Sequence, residues 1–227
     1  MKGAGEMMDK SAWRRFAFAL VIVMLTHLTT ACGMIAIHVM NNSYESMAGT
    51  RKDATYPGPA FQKIIVIGLT KNSSTRIAYE NAFMGRFIER GVNTAIGSVD
   101  LPDVDSLKNK SLVEKVIQNG SFDGVITVEV KNMADDETPQ WLKTWAATPV
   151  PGPDNLFEIL SNTDKSVPEP SDKVRFEVVL WNGKTAKQVW VGTTIAVDKH
   201  WQLRETHAAA HSTVETLMNA KLLRSTL

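Results

Sequence analysis

The sequence predicts an α/β fold: a single mixed β-sheet of about five strands with three helices, in the order β-α-β-α-β-β-β-α with any helices of the insert left out of the count. Three observations carry that expectation. Between Lys63 and Val130, apolar runs of strand length alternate with segments of helical period, the pattern of strands joined by helical crossovers. Nearer the C-terminus, two runs rich in β-branched and aromatic residues flank Asn182-Gly183, a strong hairpin signal. The 227 residues are 44% hydrophobic and 22% charged, which suits a folded globular domain with a full core.

The chain opens on a leader rather than on the fold. A basic segment, Lys10 to Arg15, precedes the apolar run Phe16 to Leu25, and small residues follow up to the single cysteine, Cys32. These are the three parts of a secretory signal. Leu28-Thr29-Thr30-Ala31-Cys32 reads as a lipoprotein processing site with Cys32 as the lipid-bearing first residue of the mature chain. Ala31 fits the position before the cysteine, whereas Leu28 stands one step further back than is usual. Residues 1–31 are then the signal peptide. An uncleaved signal anchor is the alternative, since the mostly apolar stretch from Phe16 to Met40 is long enough to span a bilayer, although Thr26, His27, Thr29, Thr30 and His38 interrupt it. Either way the basic flank stays in the cytoplasm and the rest is translocated. Gly33 after Cys32 favours the outer membrane, facing the periplasm, with an inner-membrane anchor as the alternative.

Residues 32–60 read as the lipidated cysteine and a polar tether that ends at Pro57-Gly58-Pro59. The domain is expected over 61–227. Ile64 to Ile67 is an unbroken apolar run, expected for a strand buried on both faces. Thr70 to Ser74 offers N-cap groups to a helix over about 75–90, whose core stripe is expected at Ile77, Met84 and Ile88 and whose end is marked by Arg90-Gly91. A strand over 92–99, a short helix over 111–119 and a strand over 123–130 follow. This order requires parallel pairing in part of the sheet.

Residues 133–172 form an insert that holds six of the nine prolines and no sustained period, with Trp141, Trp145 and Phe157 as candidate partner-binding residues. The same aromatics also suit a loop that covers a sheet edge or one end of the core. The hairpin strands are expected over 174–181 and 187–197, and a last helix over about 201–223.

Several segments together, Ile64 to Asn72, Arg76, Glu80, Arg90-Gly91-Val92, Asp123-Gly124-Val125 and Gln188-Val189-Trp190, resemble a family of small bacterial lipoproteins. Their layout is similar to the α/β periplasmic domains of the penicillin-binding-protein activator lipoproteins, the curli-secretion lipoprotein and the TolB N-terminal domain. The resemblance implies a non-enzymatic envelope lipoprotein that acts by binding an envelope protein or by self-association.

Residues that could carry chemistry give little against that reading. The formal net charge is +1, and the leader holds +2 of it, so the mature chain is near neutral and has no electrostatic footprint for nucleic acid. One cysteine excludes a disulfide framework and a cysteine-based zinc site. His207 and His211 stand one turn apart on the last helix and are the candidate metal ligands, the basis of an alternative function as a small-ligand or metal-binding periplasmic protein. The helical period places them on or beside the core face, they lack the glutamate of a zincin motif, and His200 lies too far along the axis to join them. No cofactor is expected. Arg76 and Glu80, at i and i+4, form a candidate polar pair, expected as a surface ion pair, with a generic anion site at the Thr70 to Ser74 junction as the functional alternative. No G-x-S-x-G elbow or phosphate loop is present, and no enzyme activity is expected.

Overall fold

The sheet begins earlier than the sequence pattern suggests. In the computed structural model, which describes residues 49–53, 56–132, 155–163, 174–196 and 204–226, Gly49–Lys52 forms β1 inside the stretch expected to be tether. Gly-Thr-Arg-Lys has no strand pattern of its own, and β1 exists because it pairs antiparallel with a later strand. The remaining strands are β2 (Lys63–Gly68), β3 (Asn93–Ile96), β4 (Gly124–Asn132), β5 (Val174–Asn182) and β6 (Gln188–Ala196). The described residues therefore build the single mixed sheet that was expected, with β1 added as a sixth strand, in the order β1-β6-β5-β4-β2-β3. As the alternation predicts, β2 pairs parallel with both β3 and β4, while β4-β5 and β5-β6 are antiparallel.

Among the described residues the helices are α1 (Ser73–Glu89), α2 (Val104–Lys108), α3 (Lys110–Gly120), α4 (Leu156–Ser161) and α5 (Arg204–Asn219); α4 belongs to the insert, and the short helix expected over 111–119 is preceded by the additional turn of α2. From β2 the chain crosses through α1 to β3 on one side, then returns through α2 and α3 to β4 on the other. Right-handed crossovers in opposite directions place their helices on opposite faces of the sheet. One core layer joins Ile64, Val66, Ile126, Val128 and Phe176 of the sheet to Phe83 and Phe87 of α1 and Val214 and Leu217 of α5. The other joins Ile65, Ile67, Val125 and Trp181 to Leu107, Val113, Ile117 and the α4 residues Leu156 and Leu160. Truncating one of the buried phenylalanines to alanine would cost about 3–5 kcal/mol.

The core stripe of α1 corrects the expectation. Its buried residues are Arg76, Tyr79, Glu80, Ala82, Phe83 and Phe87, whereas Ile77 and Ile88 are 42% and 53% exposed and Met84 is half-buried. Two apolar stripes share this helix, and the aromatic one carries more area to bury. The helix ends as expected: Gly91 takes φ 72°, and Val92 and Gly91 donate to the carbonyls of Phe87 and Ile88 in a Schellman closure. Its start is capped by Asn72, which accepts from the Thr75 amide.

The strand expected over 92–99 stops at Ile96, and Gly97–Val99 forms a 3-10 turn. At the far end of the sheet, the hairpin turn closes on β4: Gly183 donates to the Asp123 carbonyl. A Cβ at Gly183 would stand 2.5 Å from the Phe122 carbonyl oxygen, so this close approach admits only glycine. The insert is not wholly irregular, because α4 lies within it and buries Leu156 and Leu160.

Candidate functional site

The polar pair of α1 is the most developed constellation among the described residues, and it lies in the interior rather than on the surface. Arg76 and Glu80 are 1% and 0% exposed. Arg76 Nε donates to Glu80 Oε1 at 2.8 Å. The same Oε1 accepts the Gly68 amide at the end of β2 at 3.0 Å, and Oε2 accepts the Ser98 amide at 2.8 Å. Arg76 Nη1 donates to the Leu101 carbonyl at 2.6 Å. One ion pair thus ties together the carboxyl end of β2, the first turns of α1 and the 3-10 turn after β3. Such a pair is tolerated in low dielectric because its remaining hydrogen-bonding groups are largely satisfied. Gly97 makes room for it: a Cβ there would meet Ile67 Cγ1 at 2.9 Å and Arg76 Nη2 at 3.2 Å. Nη2 itself has no hydrogen-bond partner among the described residues.

This geometry corrects the expectation of a surface ion pair. Its functional alternative, an anion site at the junction, has no support from the guanidinium: two of its nitrogens are engaged with Glu80 and Leu101, and the third lies against Gly97. The pair shapes the loops at the carboxyl end of β2 and β3 and offers no charge to solvent.

Of the histidines, His207 is exposed on α5 and His211 is half-buried. The core face of that helix is built from Thr206, Ala209, Ala210, Thr213, Val214 and Leu217, so both histidines fall beside that face rather than on it. Burial pulls the His211 imidazole below its usual pKa; the Arg86 and Arg90 cations push the same way, and the Glu215 and Glu89 carboxylates oppose it. No group of three or more metal-ligating side chains occurs among the described residues. His200 lies outside them.

Phe157 sits on α4, half-buried against the second core layer, with the Lys110 ammonium 5.0 Å from its ring centroid. Its ring thus packs on that core layer and also lines the cleft described next. Trp141, Trp145 and Cys32 lie outside the described residues. The sequence reading missed a half-open cleft of about 760 Å³ beside Phe157, where Lys110, Glu114, Phe122, Asp123 and Lys184 converge. No signal in the sequence brings these residues together, because the cleft depends on how α3, α4 and the hairpin turn meet. Among the described residues no helix is long and apolar enough to cross a membrane.

No protein-family model matches this chain, and no curated protein matches it in sequence. Among solved structures, the PelC dodecamer from Paraburkholderia phytofirmans is similar over 78% of this chain and 99% of that one, at 11% identity and a TM-score of 0.40. Lipoprotein GNA1162 from Neisseria meningitidis is similar over 71% of this chain and 99% of its own, at 12% identity and a TM-score of 0.36.

Proposed function

We propose that this chain is a bacterial lipoprotein, anchored through acyl groups on Cys32, whose α/β domain acts without catalysis by binding a protein partner of the cell envelope. The observation that carries the reading is the position of Cys32, directly after a basic segment, a short apolar run and small residues. Two or more acyl chains on one cysteine give stable anchoring where a single chain gives only marginal binding. Sixteen residues separate Cys32 from β1, and at full extension they reach roughly 55 Å. The domain would therefore work within that distance of the bilayer, on the periplasmic face of the outer membrane.

The docking element under this reading is the tryptophan-bearing part of the insert, residues 133–154. Residues 155–163 belong to the core through Leu156 and Leu160, so a deletion that tests docking must spare them. A photo-crosslinkable residue placed at Trp141 or Trp145 in the full chain is expected to form an adduct with another envelope protein in cells. An accumulating chain with no adduct from either position contradicts docking through this segment.

A further inference from the structure

We propose that β1 is a releasable strap that gives the tether of this domain two lengths, a short one while Gly49–Lys52 is paired to β6 and a long one when that strand is free. The strap takes its role from the Cys32 anchor proposed above, and it adds a device that sets how far from the bilayer the domain can work.

The chain that follows Cys32 is held to the fold at two places, and they are built differently. The one nearer β2 is a clamp. Phe61 is 2% exposed, its amide donates to the Leu222 carbonyl at 2.8 Å, and its own carbonyl accepts the Arg224 amide at 2.9 Å. The Asp123 carboxylate accepts the amides of Gln62 and Lys63 at 2.8 and 2.9 Å. The Tyr56 ring stacks on Phe61 with centroids 5.5 Å apart, and its hydroxyl donates to the Pro59 carbonyl at 3.0 Å. From Tyr56 onward the chain is therefore fixed by buried apolar area and by hydrogen bonds to segments far away in sequence.

The other place is β1. It is four residues long and pairs with β6 alone. Thr50 and Lys52 are exposed, and Gly49 has no side chain to bury. Among the described residues every other strand contributes side chains to a core layer, and β1 contributes none. Segments with few buried apolar contacts open locally at a free energy well below that of global unfolding. Strand β6 does not need β1 to stay in place: Val189, Trp190 and Val191 face the two core layers, and β6 is paired to β5 along its length.

Release changes the reach of the domain. With β1 paired, the 16 residues between Cys32 and Gly49 extend to roughly 55 Å. With β1 free, the tether runs on to Tyr56, and its 23 residues extend to roughly 80 Å. A partner held beyond the shorter reach binds the open form only, and so shifts the equilibrium toward it.

Hydrogen exchange of the full chain in detergent, read by mass spectrometry, tests the strap. Amides of residues 50–53 are expected to exchange about 100-fold or more faster than those of β5, and at least about tenfold slower than an unstructured peptide of the same sequence. Protection equal to that of β5 overturns the proposal, because β1 would then open only with the whole domain. Exchange at the unstructured rate also overturns it, because no closed strap would exist. A lock gives the second readout: Gly49→Cys with Thr193→Cys, opposite each other in the ladder, placed in a Cys32→Ser chain. Opposed strand residues fall within disulfide range. Oxidation of that pair is expected to slow exchange at 50–53 at least about fivefold and to leave β5 unchanged, with reduction restoring the fast rate. An oxidised pair with no change at 50–53 overturns the proposal. Exchange at β1 does not depend on processing at Cys32, so its failure would leave the lipoprotein reading standing. A mature chain without acylated Cys32 would instead remove the tether, and with it the role of the strap, while β1 still opened.

Discussion

Arg76 and Glu80 stand one turn apart on α1, and the 2.8 Å contact between Arg76 Nε and Glu80 Oε1 lies where neither side chain reaches water. Through Glu80 the pair holds the amides of Gly68 and Ser98, and through Arg76 it holds the Leu101 carbonyl. It therefore fixes how β2, α1 and the turn after β3 meet, and with them the β3 edge.

Removing one partner should cost far more than removing both. Glu80→Ala leaves a buried guanidinium uncompensated and is expected to lower stability by about 3–5 kcal/mol. The double variant Arg76→Met with Glu80→Leu is expected to lose less than Glu80→Ala alone, because no charge remains in the interior. Denaturant midpoints of the three proteins measure the difference, and a double variant less stable than Glu80→Ala would contradict this account of the pair.

The Tyr79 hydroxyl, on the same face of α1, is buried with no hydrogen-bond partner among the described residues, and burial raises its pKa well above the usual tyrosine value. Tyr79→Phe removes an unsatisfied polar group and keeps the ring against Phe176. Stability should stay level or rise by about 1 kcal/mol. A clear fall in the thermal midpoint would show that the hydroxyl has a partner.

Helix α3 closes through a left-handed residue that is not glycine: Ser121 adopts φ 52°. Its amide and that of Phe122 reach the carbonyls of Gln118 and Ile117. Since the left-handed region costs a residue with a Cβ about 1 kcal/mol or more, Ser121→Gly should stabilise the protein by roughly 0.5–1 kcal/mol. Urea titration of the two proteins decides it.

The depressed pKa of His211 carries a pH dependence with a definite sign. The unfolded chain takes up the proton at the ordinary histidine value, about 6.5, before the folded chain does. Stability contributed by neutral His211 is therefore present above that value and is lost as pH falls through it. His211→Gln should lose less stability than the unsubstituted protein between about pH 7.5 and about pH 5.5. Equal losses would show that His211 is not the titrating group.

The central strands, α1 and the hairpin were legible in the sequence because each carries its own signal: an unbroken apolar run at Ile64 to Ile67, a cap at Gly91 and a turn at Asn182-Gly183. β1 was not, since Gly49–Lys52 becomes a strand only by pairing with β6, at a distance no local window spans. The orientation of α1 was misread because Ile77, Met84 and Ile88 and the series Tyr79, Phe83 and Phe87 both repeat at helical spacing. The larger aromatic series was the signal that could have settled it. The burial of Arg76 and Glu80 had no local signature at all, as charged residues at i and i+4 ordinarily mark a solvated face. It depends on Gly68, Ser98 and Leu101, which only the folded chain brings to them.

Anchoring through Cys32 is read out by mass spectrometry of the mature N-terminus in membrane fractions. A chain that starts at Cys32 and carries the added mass of a diacylglyceryl group is the expected result. A chain that retains residues 1–31, or one that starts beyond Cys32 without acyl mass, would contradict it.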